Sequence, residues 1–214
     1  MPSLEEFRQL LHDGDSAQAF SSYELDFNSE AFDVFTSGPV SGYEVDIEWT
    51  FESPNKIKMA KASTSGKKIY YLPWASKDVT TITLDGDSPA YFVTSHFSNC
   101  RFTIKFHDDQ GKKVTVMHVA GDTGGGGTVV GSQQRDALES GVSVDNVTRT
   151  RRLSISNQKV GRKGKLHMEK GVQAGTSYYD SYARVFGVRR GNGNWVFYTQ
   201  DFNQRGQILG FSTL

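Results

Sequence analysis

Cysteine is nearly absent. Cys100 is the only one among 214 residues, which excludes an internal disulfide framework and leaves either a packing thiol or a nucleophile. An excess of either charge is missing too: 24 basic and 24 acidic side chains cancel. Bulk attraction to nucleic acid or to an anionic membrane is therefore not expected. No stretch approaches the roughly 20 apolar residues of a membrane span. The opening Met1-Pro2-Ser3-Leu4-Glu5-Glu6 lacks the basic start and apolar run of a Sec signal. The expectation is a protein made in a cytosol and working in one. No Cys/His/Asp spacing matches a zinc site and no dinucleotide fingerprint appears, so neither a metal nor an organic cofactor is expected.

Aromatic residues, by contrast, are plentiful, with 14 Phe, 9 Tyr and 3 Trp, and they suit β-structure. Ser3-Leu4-Glu5-Glu6 reads as a capping box, and Phe7, Leu10 and Leu11 form one apolar face, so a short helix is expected before Gly14. A second helical or irregular stretch is read over Ser16–Phe20. From Tyr43 the period becomes two: Val45, Ile47 and Trp49 alternate with Asp46 and Glu48. Further strands are read at Ile57–Lys61, Lys68–Trp74, Val79–Leu84, Ala90–Thr94, Tyr182–Val188, Trp195–Thr199 and Gln207–Phe211. Gly191-Asn192-Gly193-Asn194 reads as a hairpin turn, and Ser132–Ser140 as a helix of about three turns. Without repeats or a composition break, residues 1–214 read as one α+β domain. Its expected architecture is a twisted mixed β-sandwich flanked by helices.

The chemistry concentrates on one hairpin. Cys100, Phe102, Ile104 and Phe106 alternate with Arg101, Thr103 and Lys105, which puts the thiol on the apolar face. An Asp108-Asp109-Gln110-Gly111 turn follows, with Gly111 expected in the left-handed conformation. Val114, Val116 and His118 share one face of the returning strand. Any register that matches these apolar faces brings Cys100 beside His118, directly or along the diagonal at about 7–8 Å. A neighbouring imidazole can lower a thiol's pKa and relay its protons, which makes cysteine a nucleophile at neutral pH. Taken singly, a buried cysteine and a core-facing histidine are more often structural; their coincidence on facing strands favours function.

Thr94, six positions before Cys100, completes a pattern. A threonine, then a cysteine, then a strand, a turn and a histidine resembles the glutamine deamidases of the cytotoxic necrotizing factor group, and chemotaxis receptor deamidases keep the same order. The match covers about residues 91–119. Where the group has Leu-Ser-Gly-Cys, this chain has Phe97-Ser98-Asn99-Cys100; asparagine is among the few residues that tolerate the left-handed conformation of such a glycine. The resemblance implies a necrotizing-factor-like fold and a toxin that hydrolyses a target glutamine to glutamate. Cys100 would be the nucleophile, His118 the acid and base, and Thr94 the group that orients the ring. Backbone support for an oxyanion would come from the Ser98-Asn99 loop. A single-domain form of this length implies, as target, a host translation-initiation RNA helicase ahead of a Rho-family GTPase. The protein would be a monomer made in a bacterial cytoplasm and acting in the host cytosol.

Other features are weaker. Gly121-Asp122-Thr123-Gly124-Gly125-Gly126-Gly127 lacks the Gly-Lys-Ser/Thr of a phosphate-binding loop and reads as a flap or linker. Arg149-Thr150-Arg151-Arg152 and Arg162-Lys163-Gly164-Lys165 read as solvated basic faces that could dock an acidic partner. His107 reads as exposed beside its turn, and His96 as a candidate pocket residue. Two other readings compete with the deamidase: a non-catalytic β-rich module binding protein or glycan, with an inert Cys100, and a papain-like protease or transglutaminase. The latter usually needs a cysteine at a helix N-terminus and a distant histidine.

Overall fold

The computed structural model describes residues 4–12, 18–19, 22–27, 41–52, 55–120, 129–155, 176–179, 182–205 and 208–214. Helix α1 (Leu4–His12) starts where the capping box places it. Thirteen strands follow among the described residues: β1 (Glu24–Phe27), β2 (Tyr43–Glu52), β3 (Lys56–Lys61), β4 (Lys67–Leu72), β5 (Val79–Leu84), β6 (Tyr91–Thr94), β7 (Arg101–Phe106), β8 (Val114–Val119), β9 (Arg149–Ile155), β10 (Thr176–Tyr179), β11 (Tyr182–Arg189), β12 (Trp195–Phe202) and β13 (Ile208–Thr213). Helix α2 (Val129–Gly141) lies between β8 and β9.

The strands form two sheets. One has eight strands in the order β1-β3-β2-β4-β6-β11-β12-β13; the other has five, β10-β9-β7-β8-β5. Most neighbours are antiparallel, but β1·β3, β4·β6 and β9·β10 run parallel, so both sheets are mixed. Alternation along the central strands of the larger sheet sorts its side chains into two cores. Ile69, Tyr71, Tyr91, Val93, Phe186 and Val188 face the layer that carries Phe7 and Leu11 of α1. Leu72, Phe92, Val185 and Phe197 face the opposite way and interlock with Phe102, Ile104, Phe106, Val114 and Val116 of the smaller sheet. Gly187 sits where this second layer is tightest: a Cβ there would lie 2.9 Å from the Phe197 ring. On its far side the smaller sheet presents Val79, Met117 and Val119 to Leu138 of α2 and to Val142 and Val144 beyond it. The class is α+β, two packed sheets with a helix on each outer side.

Three strands escaped the sequence reading: β1, β9 and β10. Segment 149–152 is not simply a solvated basic face, because it pairs antiparallel with β7. Arg149 and Arg151 lie over the Phe106 ring, 4.1 and 5.9 Å from its centroid. His107 is half-buried rather than exposed, its Nε2 2.8 Å from Thr115 Oγ1. The glycine-rich segment 121–127, the basic segment 162–165 and most of the stretch read over 16–20 lie outside the described residues.

Candidate active site

The hairpin register is one that matches the two apolar faces. Phe102 stands opposite His118, Ile104 opposite Val116 and Phe106 opposite Val114. The connecting turn closes with Gly111 N–H donating to Asp108 O at 3.3 Å, Gly111 adopts φ 73°, and the Asp108 carboxylate accepts from the N–H groups of Lys112 and Lys113. Cys100 lies two residues before Phe102 and belongs to the same buried cluster. Extending the register by the one residue that precedes β7 puts Cys100 on the same inner face as His118.

Thr94 approaches from the other sheet. It ends β6, and its Oγ1 donates to the Leu72 carbonyl at 2.9 Å and lies 3.2 Å from His118 Nδ1. A hydroxyl has one proton. With that proton on Leu72 O, Thr94 can only accept, so His118 carries its hydrogen on Nδ1 and Nε2 is a bare lone pair. Nε2 is buried and makes no hydrogen bond among the described residues. The ring is clamped further by Phe97, stacked at 4.2 Å between centroids. Phe97 is itself fixed by a two-way backbone bridge to Ala183. Two sheets therefore set one imidazole.

The loop from Phe97 to Cys100 turns through Asn99, whose φ is 73°. This is the left-handed conformation in which asparagine replaces glycine at low cost. The Cys100 thiol donates to Ser98 O, with Sγ 3.9 Å away, and the Asn99 carbonyl accepts from Arg135 Nη1 at 2.9 Å. Arg135 comes from α2 and is only 3% exposed. Helix α2 is anchored by charge: Arg101 Nη1 contacts Asp136 at 2.7 Å and Glu139 at 2.9 Å, and Glu139 also holds Arg152 at 2.7 Å.

Electrostatically the resting site is neutral. Burial pushes the Cys100 thiol up to about 11, against smaller downward pulls from the Trp74 indole, the Arg135 charge and the Ser98 backbone. Burial and the nearby His96 charge push His118 down to about 3. The expectation that the imidazole would lower the thiol's pKa is therefore corrected. The side chains are 5% and 1% exposed, and desolvation outweighs any stabilisation of a thiolate–imidazolium pair. His96 is exposed at the edge, its ring 6.3 Å from that of Tyr182, and it lines a side cavity of about 290 Å³ with Tyr182, Arg184, Phe202, Asn203 and Gln204.

Thr94 and His118 are thus in direct contact, Cys100 lies in the buried cluster of the same hairpin, and Ser98 and Asn99 form the loop into the thiol. Arg135, Trp74 and Phe97 were not singled out from sequence. Arg135 sits in a polar helix where its pairing four residues before Glu139 mimics an exposed charge pair. The only hint was Arg101, a charged residue opening a strand that α2 covers. Among the described residues no group of three or more His, Cys, Asp or Glu could hold a metal ion. Nor is any described helix long and apolar enough to cross a membrane. No protein-family model matches the chain, and comparison with curated proteins returns no significant match.

Proposed function

We propose that this chain is a protein glutamine deamidase working through a Cys100 thioester, of the kind represented by the cytotoxic necrotizing factor group and, in single-domain form, by Burkholderia lethal factor. The observation that carries the reading is the bare, buried and unpartnered Nε2 of His118. With the ring held at Nδ1 by Thr94, the free lone pair is the base that would take the proton of a thiol on the same sheet face. As the sulfur attacks the carboxamide carbon, the Sγ proton passes to Nε2. The imidazolium then gives it to the departing nitrogen, ammonia leaves and the acyl group stays on sulfur as a thioester. Water, giving its proton to Nε2, cleaves the thioester to glutamate and restores the thiol. Because thiol and imidazole rest neutral, charge develops only during attack, and Thr94 orients the ring without adding a negative charge. The target in this reading is a host translation-initiation RNA helicase, with a Rho-family GTPase second.

A competing reading has one observation in its favour. A thiol near 11 beside an imidazole near 3, both buried, also describes the inert core of a protein- or glycan-binding module. Incubation with a host-cell extract and peptide mass mapping separates the two. The deamidase converts a specific glutamine to glutamate, and the Cys100→Ser variant does not. Identical peptide populations with both proteins would leave only the binding module.

A further inference from the structure

Helix α2 contributes a residue to the thiol loop, and nothing in the threonine–cysteine–histidine pattern accounts for it. We propose that Arg135 is a positioning residue for Cys100: it clamps the Asn99 carbonyl, fixes the left-handed turn that delivers the sulfur, and holds a cationic charge close to the thiolate as it forms. This inference rests on the deamidase reading of the site.

Three observations converge on it. The guanidinium is buried, and one of its N–H groups is committed at 2.9 Å to the carbonyl immediately before the cysteine. That carbonyl belongs to the one residue of the loop with a positive φ. Asparagine tolerates this conformation but does not require it, and a charge-assisted hydrogen bond to its carbonyl fixes it. The anchor is stiff, because Arg101, Glu139 and Arg152 tie α2 to β7 and β9 around a carboxylate 6% exposed. A fixed cation in a chamber of low dielectric favours an anion more than one in water does. Its charge lowers the Cys100 thiol against the larger upward push of burial.

The test is the pH profile of Cys100 alkylation by iodoacetamide, which needs no substrate. Arg135→Met keeps the stem and removes the charge and the donors. Its alkylation rate at pH 8 should fall about tenfold, with the profile displaced upward by about one pH unit. Arg135→Lys keeps a cation and should recover the rate to within about threefold of wild type. Circular dichroism confirms that the compared proteins are folded. If both variants fail to fold, the wild type still answers. The Arg135 Cζ resonance should move as Cys100 ionises and stay fixed over the same pH range in Cys100→Ser. A Met variant with the wild-type profile, or a Cζ resonance indifferent to the thiol, would overturn the assignment. Failure of the deamidase reading looks different: no glutamine is converted by wild type, while Arg135→Met still displaces the alkylation profile.

Discussion

Replacing Thr94 by Val removes one hydroxyl and almost no volume. The lost oxygen serves two buried partners, the Leu72 carbonyl at 2.9 Å and His118 Nδ1 at 3.2 Å. Leu72 O retains the Ser95 N–H at 3.1 Å, so it is not orphaned. His118 is less fortunate, because its Nε2 already lacks a hydrogen bond and the substitution strands Nδ1–H as well. A buried donor left without a partner costs about 1–3 kcal/mol. At about 2–4 °C per kcal/mol for a chain of this size, a midpoint value of about 2 kcal/mol lowers Tm by about 4–8 °C. The second readout is the tautomer. With no acceptor at Nδ1, the proton redistributes between the ring nitrogens, so ¹⁵N NMR should show loss of the single Nδ1–H form. Thr94→Ser should keep both the tautomer and most of the stability. Turnover should fall in Thr94→Val by more than the stability loss suggests, since a misoriented base is costly in rate. A Val variant with wild-type Tm and an unchanged tautomer would refute the account of how the imidazole is set.

Cys100→Ser should leave the fold intact and abolish glutamine conversion, and adding His118→Ala should make it no worse, because the two act as a unit; independent, multiplying losses would argue against a shared proton. Cys100 rests with its thiol raised from 9.0 to about 11, so the stability this burial confers is complete below pH 9 and is lost as pH rises towards 11. The loss is about 2–3 kcal/mol, read as a denaturation midpoint that falls less in Cys100→Ala. His118 is displaced the other way, from 6.5 to about 3. Its contribution is therefore present above pH 6.5 and disappears as pH falls towards 3, on the order of 5 kcal/mol, and a His118→Phe variant should lose less stability over that window. Glu139→Ala removes the carboxylate that Arg101 and Arg152 share and leaves Arg101 with Asp136 alone. It should cost towards the lower end of the about 3–5 kcal/mol of a broken buried pair, since Arg152 is partly exposed, and denaturant titration measures it.

Where side-chain periodicity alone governs, the sequence was informative. The alternation of Phe102, Ile104 and Phe106 against Val114 and Val116 excludes any one-residue slip, which would turn every apolar side chain outward, and the Gly111 turn selects among the registers that remain. That register placed Cys100 and His118 on one face, and Gly111 closed the turn with the expected positive φ. Asn99 likewise carries the left-handed backbone that a short polar side chain permits. Strands β1, β9 and β10 were missed because their pairing is non-local. Arg149–Ile155 opens with three arginines in four residues and becomes a strand against β7, a case of tertiary context overriding a weak local preference.

What the sequence determined by itself was therefore the hairpin: its register, its turn and the shared face of thiol and imidazole, all set within about twenty residues by the period of two. Only the tertiary structure decided how that pair is tuned. The Thr94 hydroxyl arrives from the opposite sheet, Phe97 is pinned by Ala183, and Arg135 reaches the loop from a helix that follows the hairpin. Burial by both sheets sets the thiol and imidazole neutral. The reason is that desolvation depends on what every other segment places around a group, whereas strand register depends on the pattern within the strands themselves.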